Sequence, residues 1–112
     1  MPSSEKLMDD RTTLLFKAMM SLRTVDECYK FFEDLCTVAE IKSLAERFQV
    51  ALMLDEGRTY TEIAEKTGAS TATISRVKRF LQYGADGYRL IIDRMREEGI
   101  LPPKSSPPKS GS

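Results

Sequence analysis

TYTEIAEKTGASTATISRVKRFL, running from Thr59 to Leu81, has the pattern of two short helices joined by a tight turn. Thr59 is placed to cap the first helix, and Glu62, three residues on, completes a capping box in which each residue satisfies an orphan backbone donor of the other. Gly68 stands where the first helix must stop, because glycine enters the left-handed conformation without a Cβ clash. Ser70 or Thr71 caps the second helix, whose apolar residues Ile74, Val77 and Leu81 fall on one stripe. Ala64 is small where two steeply crossing helices bring their backbones together. Apolar residue, alanine, glycine and two apolar anchors in this order make the helix-turn-helix pattern, predicted over 59–82. A helical hairpin that only packs is the plainer alternative.

The outward face of the second helix separates the two. Ser70, Thr71, Ala72, Thr73 and Ser75 are short enough to let a helix lie deep in a major groove. Their hydroxyls can exchange hydrogen bonds with base edges, and Ala72 or a threonine methyl can touch the thymine methyl; these five are the predicted base contacts. Arg58, Thr59, Thr61, Arg76, Lys78 and Arg79 are the predicted phosphate contacts. Between Lys66 and Ala85 there are four bases and no acid. Cations near a helix C-terminus also complement its dipole, so one or two of them could be structural.

The whole chain has 112 residues and a formal net charge of zero, which by itself argues against a polyanionic partner. The distribution answers that. From Val25 to Glu56 eight acids face three bases, whereas the bases gather in and after the helix-turn-helix, and local field steers a charged partner. Apolar residues at 41% and charged residues at 30% fit one globular domain with a modest core. There is no histidine, and the two cysteines, Cys28 and Cys36, lie eight residues apart. A metal site is therefore not expected. Buried free thiols in a reducing compartment are the expected state, a disulfide or redox role the alternative. The longest wholly apolar run is Val50–Leu54, far short of the roughly 20 residues that span a bilayer. A cytoplasmic location without membrane association follows. No nucleophile–base pair or phosphate loop is visible, so no enzyme is expected.

Working outward, residues 1–6 form a flexible start and 7–99 a single all-α domain of about six helices. The first helix is expected over Leu7–Leu22, with Leu14, Leu15, Ala18, Met19 and Leu22 inward. Thr24 and Glu27 form a capping box for the second, whose stripe is Tyr29, Phe32, Leu35 and Cys36. Thr37 and Glu40 open the longest helix, which ends near Glu56 before Gly57. Ile41, Leu44, Ala45, Phe48, Val50, Ala51, Leu52 and Leu54 make it apolar around most of its girth, and such a helix needs cover on several sides. Either a second copy supplies it, giving an interlocked homodimer, or the first two helices fold back over it. Asp86 caps a last helix, Gly87–Glu98, with Tyr88, Ile91, Ile92 and Met95 inward and Gly99 as its stop. Residues 100–112, rich in Pro, Ser and Lys, are predicted to be a disordered tail.

At GASTATISR, Gly68 to Arg76, the chain resembles the Trp repressor. From Leu14 to Met95, about three quarters of its length, it resembles more closely the Trp-repressor-like YerC/YecD family of bacterial proteins. The resemblance implies six helices, an intertwined dimer and a helix-turn-helix at each end. It implies a sequence-specific transcriptional regulator, in all expectation a repressor, whose partners are double-stranded DNA and a second copy of itself. In the Trp repressor, tryptophan lies between two arginines that correspond here to Arg47 and Arg76, a possible effector pocket. The glycine that follows the second arginine there, making room for the indole, is Val77 here, so no tryptophan cofactor is expected. The alternative function is a helix-turn-helix adaptor that binds a protein instead of DNA.

Overall fold

The computed structural model describes residues 8–103. The expected flexible start at 1–6 and most of the expected tail, 104–112, lie outside them. Among the described residues there are six helices and no strand: α1 Asp10–Met20, α2 Val25–Leu35, α3 Val38–Asp55, α4 Tyr60–Thr67, α5 Thr71–Tyr83 and α6 Gly87–Glu97. This is the all-α architecture read from the sequence. The chain divides into two compact units between Ser43 and Leu44.

In the first unit, hydroxyl and carboxylate caps set the helix starts. Asp9 caps α1 by accepting from the Thr12 amide at 2.7 Å, so α1 begins three residues later than the expected Leu7. Thr24 caps α2 by accepting from the Glu27 amide at 3.1 Å. The return arm of that box goes elsewhere than expected, because Glu27 accepts from the Arg23 amide at 2.8 Å. At α3 the box is complete: Thr37 accepts from the Glu40 amide at 3.0 Å and its own amide donates to the Glu40 carboxylate at 2.8 Å.

Neither α1 nor α2 contains a buried residue. Of the expected inward stripes, Leu14, Ala18, Tyr29 and Leu35 are exposed, whereas Leu15, Met19, Leu22, Phe32 and Cys36 are half-buried. Cys28 and Cys36 are free thiols but half-buried, not buried as expected. A short helix covers a neighbour on one side only, and within this unit the faces read from periodicity are at most half covered.

The second unit contains the buried core: Val50, Ala51 and Met53 from the end of α3, Ile63 from α4, Ala69 from the turn, Ile74 and Val77 from α5, and Ile92 from α6. Helix α5 packs against both α4 and α6. The α3 terminus is closed by amides of Glu56, Gly57 and Arg58 donating to Leu52, Leu54 and Met53 carbonyls. At the other end, Ile100 and Leu101 both donate to the Met95 carbonyl, and Leu101 packs on the core. These two residues were assigned to the tail, yet they are apolar and continue the fold. Ile91, expected inward, is 40% exposed.

Asp55 is the one buried charged residue among those described, its side chain 1% exposed. Arg96 Nη2 lies 2.5 Å from one carboxylate oxygen and Arg89 Nη1 2.8 Å from the other. This pairing ties the end of α3 to α6. Hydrogen bonding to Asp55 raises the Arg89 pKa further, keeping the guanidinium charged at every ordinary pH.

Candidate nucleic-acid interface

The helix-turn-helix is built by local hydrogen bonds. Thr59 Oγ1 accepts from the Glu62 amide at 3.1 Å, and Glu62 Oε1 accepts from the Thr59 amide at 3.0 Å, the full capping box expected. The Thr59 hydroxyl also donates to the same carboxylate at 3.2 Å. The Thr59 amide, then its hydroxyl, hold the Glu62 carboxyl below the usual glutamate pKa, and Arg58 adds to this.

The turn that follows has a latch that spacing did not reveal. Thr67 Oγ1 donates to the Ile63 carbonyl at 2.8 Å and accepts from the Ala69 amide at 3.1 Å. Between them Gly68 stands at φ 76, with its amide donating to the Ala64 carbonyl. Ala69, next along, is 5% exposed and belongs to the core. One hydroxyl thus ends α4 and aims the chain into α5, while the methyl of Ala69 anchors the corner. A threonine just before the glycine was the available signal.

Ser70 caps α5, accepting from the Thr73 amide at 3.1 Å and donating to the Thr73 hydroxyl at 3.1 Å. Ile74 and Val77 are buried beneath, at 0% and 2% exposure, with Leu81 half-buried. This fixes the roll of α5 about its axis. Thr71, Ala72, Ser75, Arg76, Lys78 and Arg79 are all exposed, and Thr73 is half-buried. Of the five expected base contacts, Thr71, Ala72 and Ser75 therefore face outward unengaged among the described residues, whereas Ser70 and Thr73 are tied into the cap.

The expected phosphate contacts divide in the same way. Arg58 lies 3.5 Å from Glu56 and 3.4 Å from Glu62, so its charge is locally balanced. The Thr59 hydroxyl is engaged by Glu62, and Thr61 is exposed. Arg76 and Arg79 are exposed and make no ion pair among the described residues. The Lys78 ammonium lies over the Tyr60 ring, 5.7 Å from its centroid. Arg47, on α3, is exposed. The resulting face carries three unbalanced cations beside three small side chains, over an apolar back. Small residues permit close approach, and the cations can replace counterions along a phosphate backbone.

A family model described as Trp repressor protein matches residues 10–96. The chain is 55% identical over 93 residues to YerC of Bacillus subtilis (strain 168), described as an uncharacterized protein, and the match covers 83% of this chain and 89% of that one. Two solved structures are also similar. One is a candidate Trp repressor from Staphylococcus aureus, 55% identical with a TM-score of 0.79, covering 82% of this chain and 92% of the other. The second is a TrpR-like protein from Eubacterium eligens ATCC 27750, 56% identical with a TM-score of 0.81, covering 88% and 99% respectively.

Proposed function

This chain belongs to the Trp repressor protein family, and we propose that it is a homodimeric, sequence-specific DNA-binding transcriptional regulator that acts as a repressor. The observation that carries this reading is the outward face of α5, with Thr71, Ala72 and Ser75 beside Arg76, Lys78 and Arg79, held in place by buried Ile74 and Val77. Each α5 enters a major groove, with half-sites about one helical turn, ~34 Å, apart. Short hydroxyl side chains cannot make bidentate base contacts, so readout leans on bridging water and DNA shape. Thr61, Arg76, Lys78 and Arg79 take phosphates. Ser70 and Thr73 shape the helix start and reach bases only through the hydroxyl capacity their mutual bond leaves free.

Dimerisation is supported by the uncovered apolar residues of the first unit, among them Met20 at 84%, Val25 at 73% and Val38 at 70% exposure. Exposed patches of this kind in a soluble chain mark an interface. Tryptophan is not the corepressor in this reading, because the branched side chain of Val77 is packed into the core. If Arg47 and Arg76 hold an effector, it is another anion. None of the described helices is long and apolar enough to cross a membrane, which accords with work in the cytoplasm, and the protein's task is binding, not catalysis.

Selection of bound sequences from a random duplex pool, with and without added amino acids, tests the proposal. A recovered two-fold-symmetric site and affinity that falls steeply with salt are expected. Salt-insensitive or absent duplex binding would remove the DNA reading and favour the protein-binding adaptor.

A further inference from the structure

Two cations of the helix-turn-helix are held by neighbouring side chains, by opposite physical means. Arg58 is held by the carboxylates of Glu56 and Glu62, which order its guanidinium but cancel its charge. Lys78 is held by the ring of Tyr60, the first residue of α4, half-buried against the core. An aromatic ring attracts an ammonium through its quadrupole and has no net charge of its own. Lys78 is therefore drawn to a fixed partner that brings no opposing charge. A free lysine carries substantial side-chain rotamer entropy, part of which must be lost when it grips a phosphate. A ring that has already narrowed those rotamers lowers this loss. The contact also bridges α4 and α5, so it fixes the charge relative to both helices of the motif.

We propose that Tyr60 is a positioning residue for DNA: its ring pre-orders the Lys78 ammonium for a backbone phosphate without neutralising it. The proposal rests on the DNA-binding reading above and adds to it a residue outside every expected contact set. Tyr60 touches DNA through Lys78, not through its own hydroxyl.

The test is a double-mutant cycle on the full chain. Binding to random-sequence duplexes is measured over a salt series for the wild type, Y60L, Y60F, K78A and Y60L/K78A, with urea unfolding of each variant as a fold control. Random sequence suffices, because phosphate contacts are independent of sequence. Loss of the ring should weaken binding about two- to fivefold. Y60F should match the wild type. In the K78A background, Tyr60→Leu should have no further effect. An equal loss in both backgrounds would mean that Tyr60 acts through the fold or by direct contact, and would overturn the proposal. So would a Y60F loss as large as that of Y60L, which would point to the hydroxyl. Proton NMR of the wild type without DNA gives a readout that needs no leucine variant: the Lys78 methylenes near the ammonium should be shifted upfield by the ring current. Unshifted methylenes would overturn the pre-ordering while leaving DNA binding intact, whereas a wild type that ignores duplex DNA would remove both readings together.

Discussion

Replacing Asp55 by alanine should destabilise the second unit severely, although the residue lies outside the proposed interface. Its carboxylate is 1% exposed and meets Arg96 at 2.5 Å and Arg89 at 2.8 Å. The two arms differ in burial. The Arg96 side chain is 15% exposed, and its Nε is buried without a hydrogen-bond partner among the described residues. Arg89 is 41% exposed and can turn to Asp93, 3.6 Å away. Removing one member of a buried pair leaves an uncompensated charge and costs about 3–5 kcal/mol. The Arg89 arm contributes less than the Arg96 arm, because water screens its half-exposed guanidinium. The D55A cost should therefore come almost wholly from stranding Arg96. R89A should cost less than D55A, because the buried carboxylate keeps Arg96, and R96A should fall between the two, because Arg89 still compensates Asp55.

Urea unfolding at one fixed protomer concentration measures this ordering, since the stability of the proposed homodimer would depend on concentration. For a domain of this size, a loss of about 3 kcal/mol lowers the melting temperature by more than about 12 °C. A D55A protein within about 0.5 kcal/mol of wild type, the range of ordinary surface substitutions, would refute the reasoning. R89A costing as much as D55A would refute it as well, because burial would then not rank the two arms.

Other expected outcomes follow from the helix-turn-helix itself. The Glu62 pKa is lowered by the Thr59 cap, so the stabilisation it adds is present above the unfolded glutamate value and lost as pH falls through the lower folded one; acid titration of E62Q by circular dichroism should lack this component. Lys78→Ala should weaken all DNA sequences similarly and flatten the log–log salt dependence by about one unit, whereas Arg58→Ala, already balanced by two carboxylates, should flatten it less. Thr73→Ala should relax sequence preference in a selection experiment, because it removes the hydroxyl that accepts from Ser70 at the start of α5 and leaves the amide cap in place. Gly84→Ala should be more damaging in urea unfolding than Gly68→Ala: an added Cβ at Gly84 would lie 2.4 Å from the Phe80 carbonyl oxygen, whereas at Gly68 it meets nothing within 4 Å and only the left-handed backbone resists, about 1–2 kcal/mol.

What was legible in the sequence is what closes within a few residues. The caps at Thr24, Thr37, Thr59 and Ser70 all bond an amide three positions on, a distance set by helix geometry alone. Gly57, Gly68 and Gly99 all take positive φ at helix ends for the same local reason. The roll of α5 was legible too, because Ile74 and Val77 leave only one face for the hydroxyls and cations. Asp86 marks the limit of such reading. It stands at the start of α6 as expected, but at φ 68 and with no side-chain cap bond, since an N-cap side chain reaches its amide from an extended backbone and not from a left-handed one.

Asp55 shows the opposite case. In the sequence it is one more acid in an acidic helix, next to Glu56, which is exposed. Its two partners come from another helix, Arg96 being 41 residues away, and no periodicity links them. The pairing also changes how the charge balance of the chain should be read. Counted along the sequence, Asp55 and Glu56 close an acidic segment that precedes a basic one. In space, Asp55 is compensated inside the fold by bases from beyond the helix-turn-helix, and Glu56 helps to balance Arg58. Pairing thus removes Arg58, Arg89 and Arg96 from the outward field, and the cations near the turn without an ion pair among the described residues are Lys66 at the end of α4 and Arg76, Lys78 and Arg79 on α5. The apparent neutrality of the chain is in this sense structural: acids cancel Arg58, Arg89 and Arg96, leaving α5 positive.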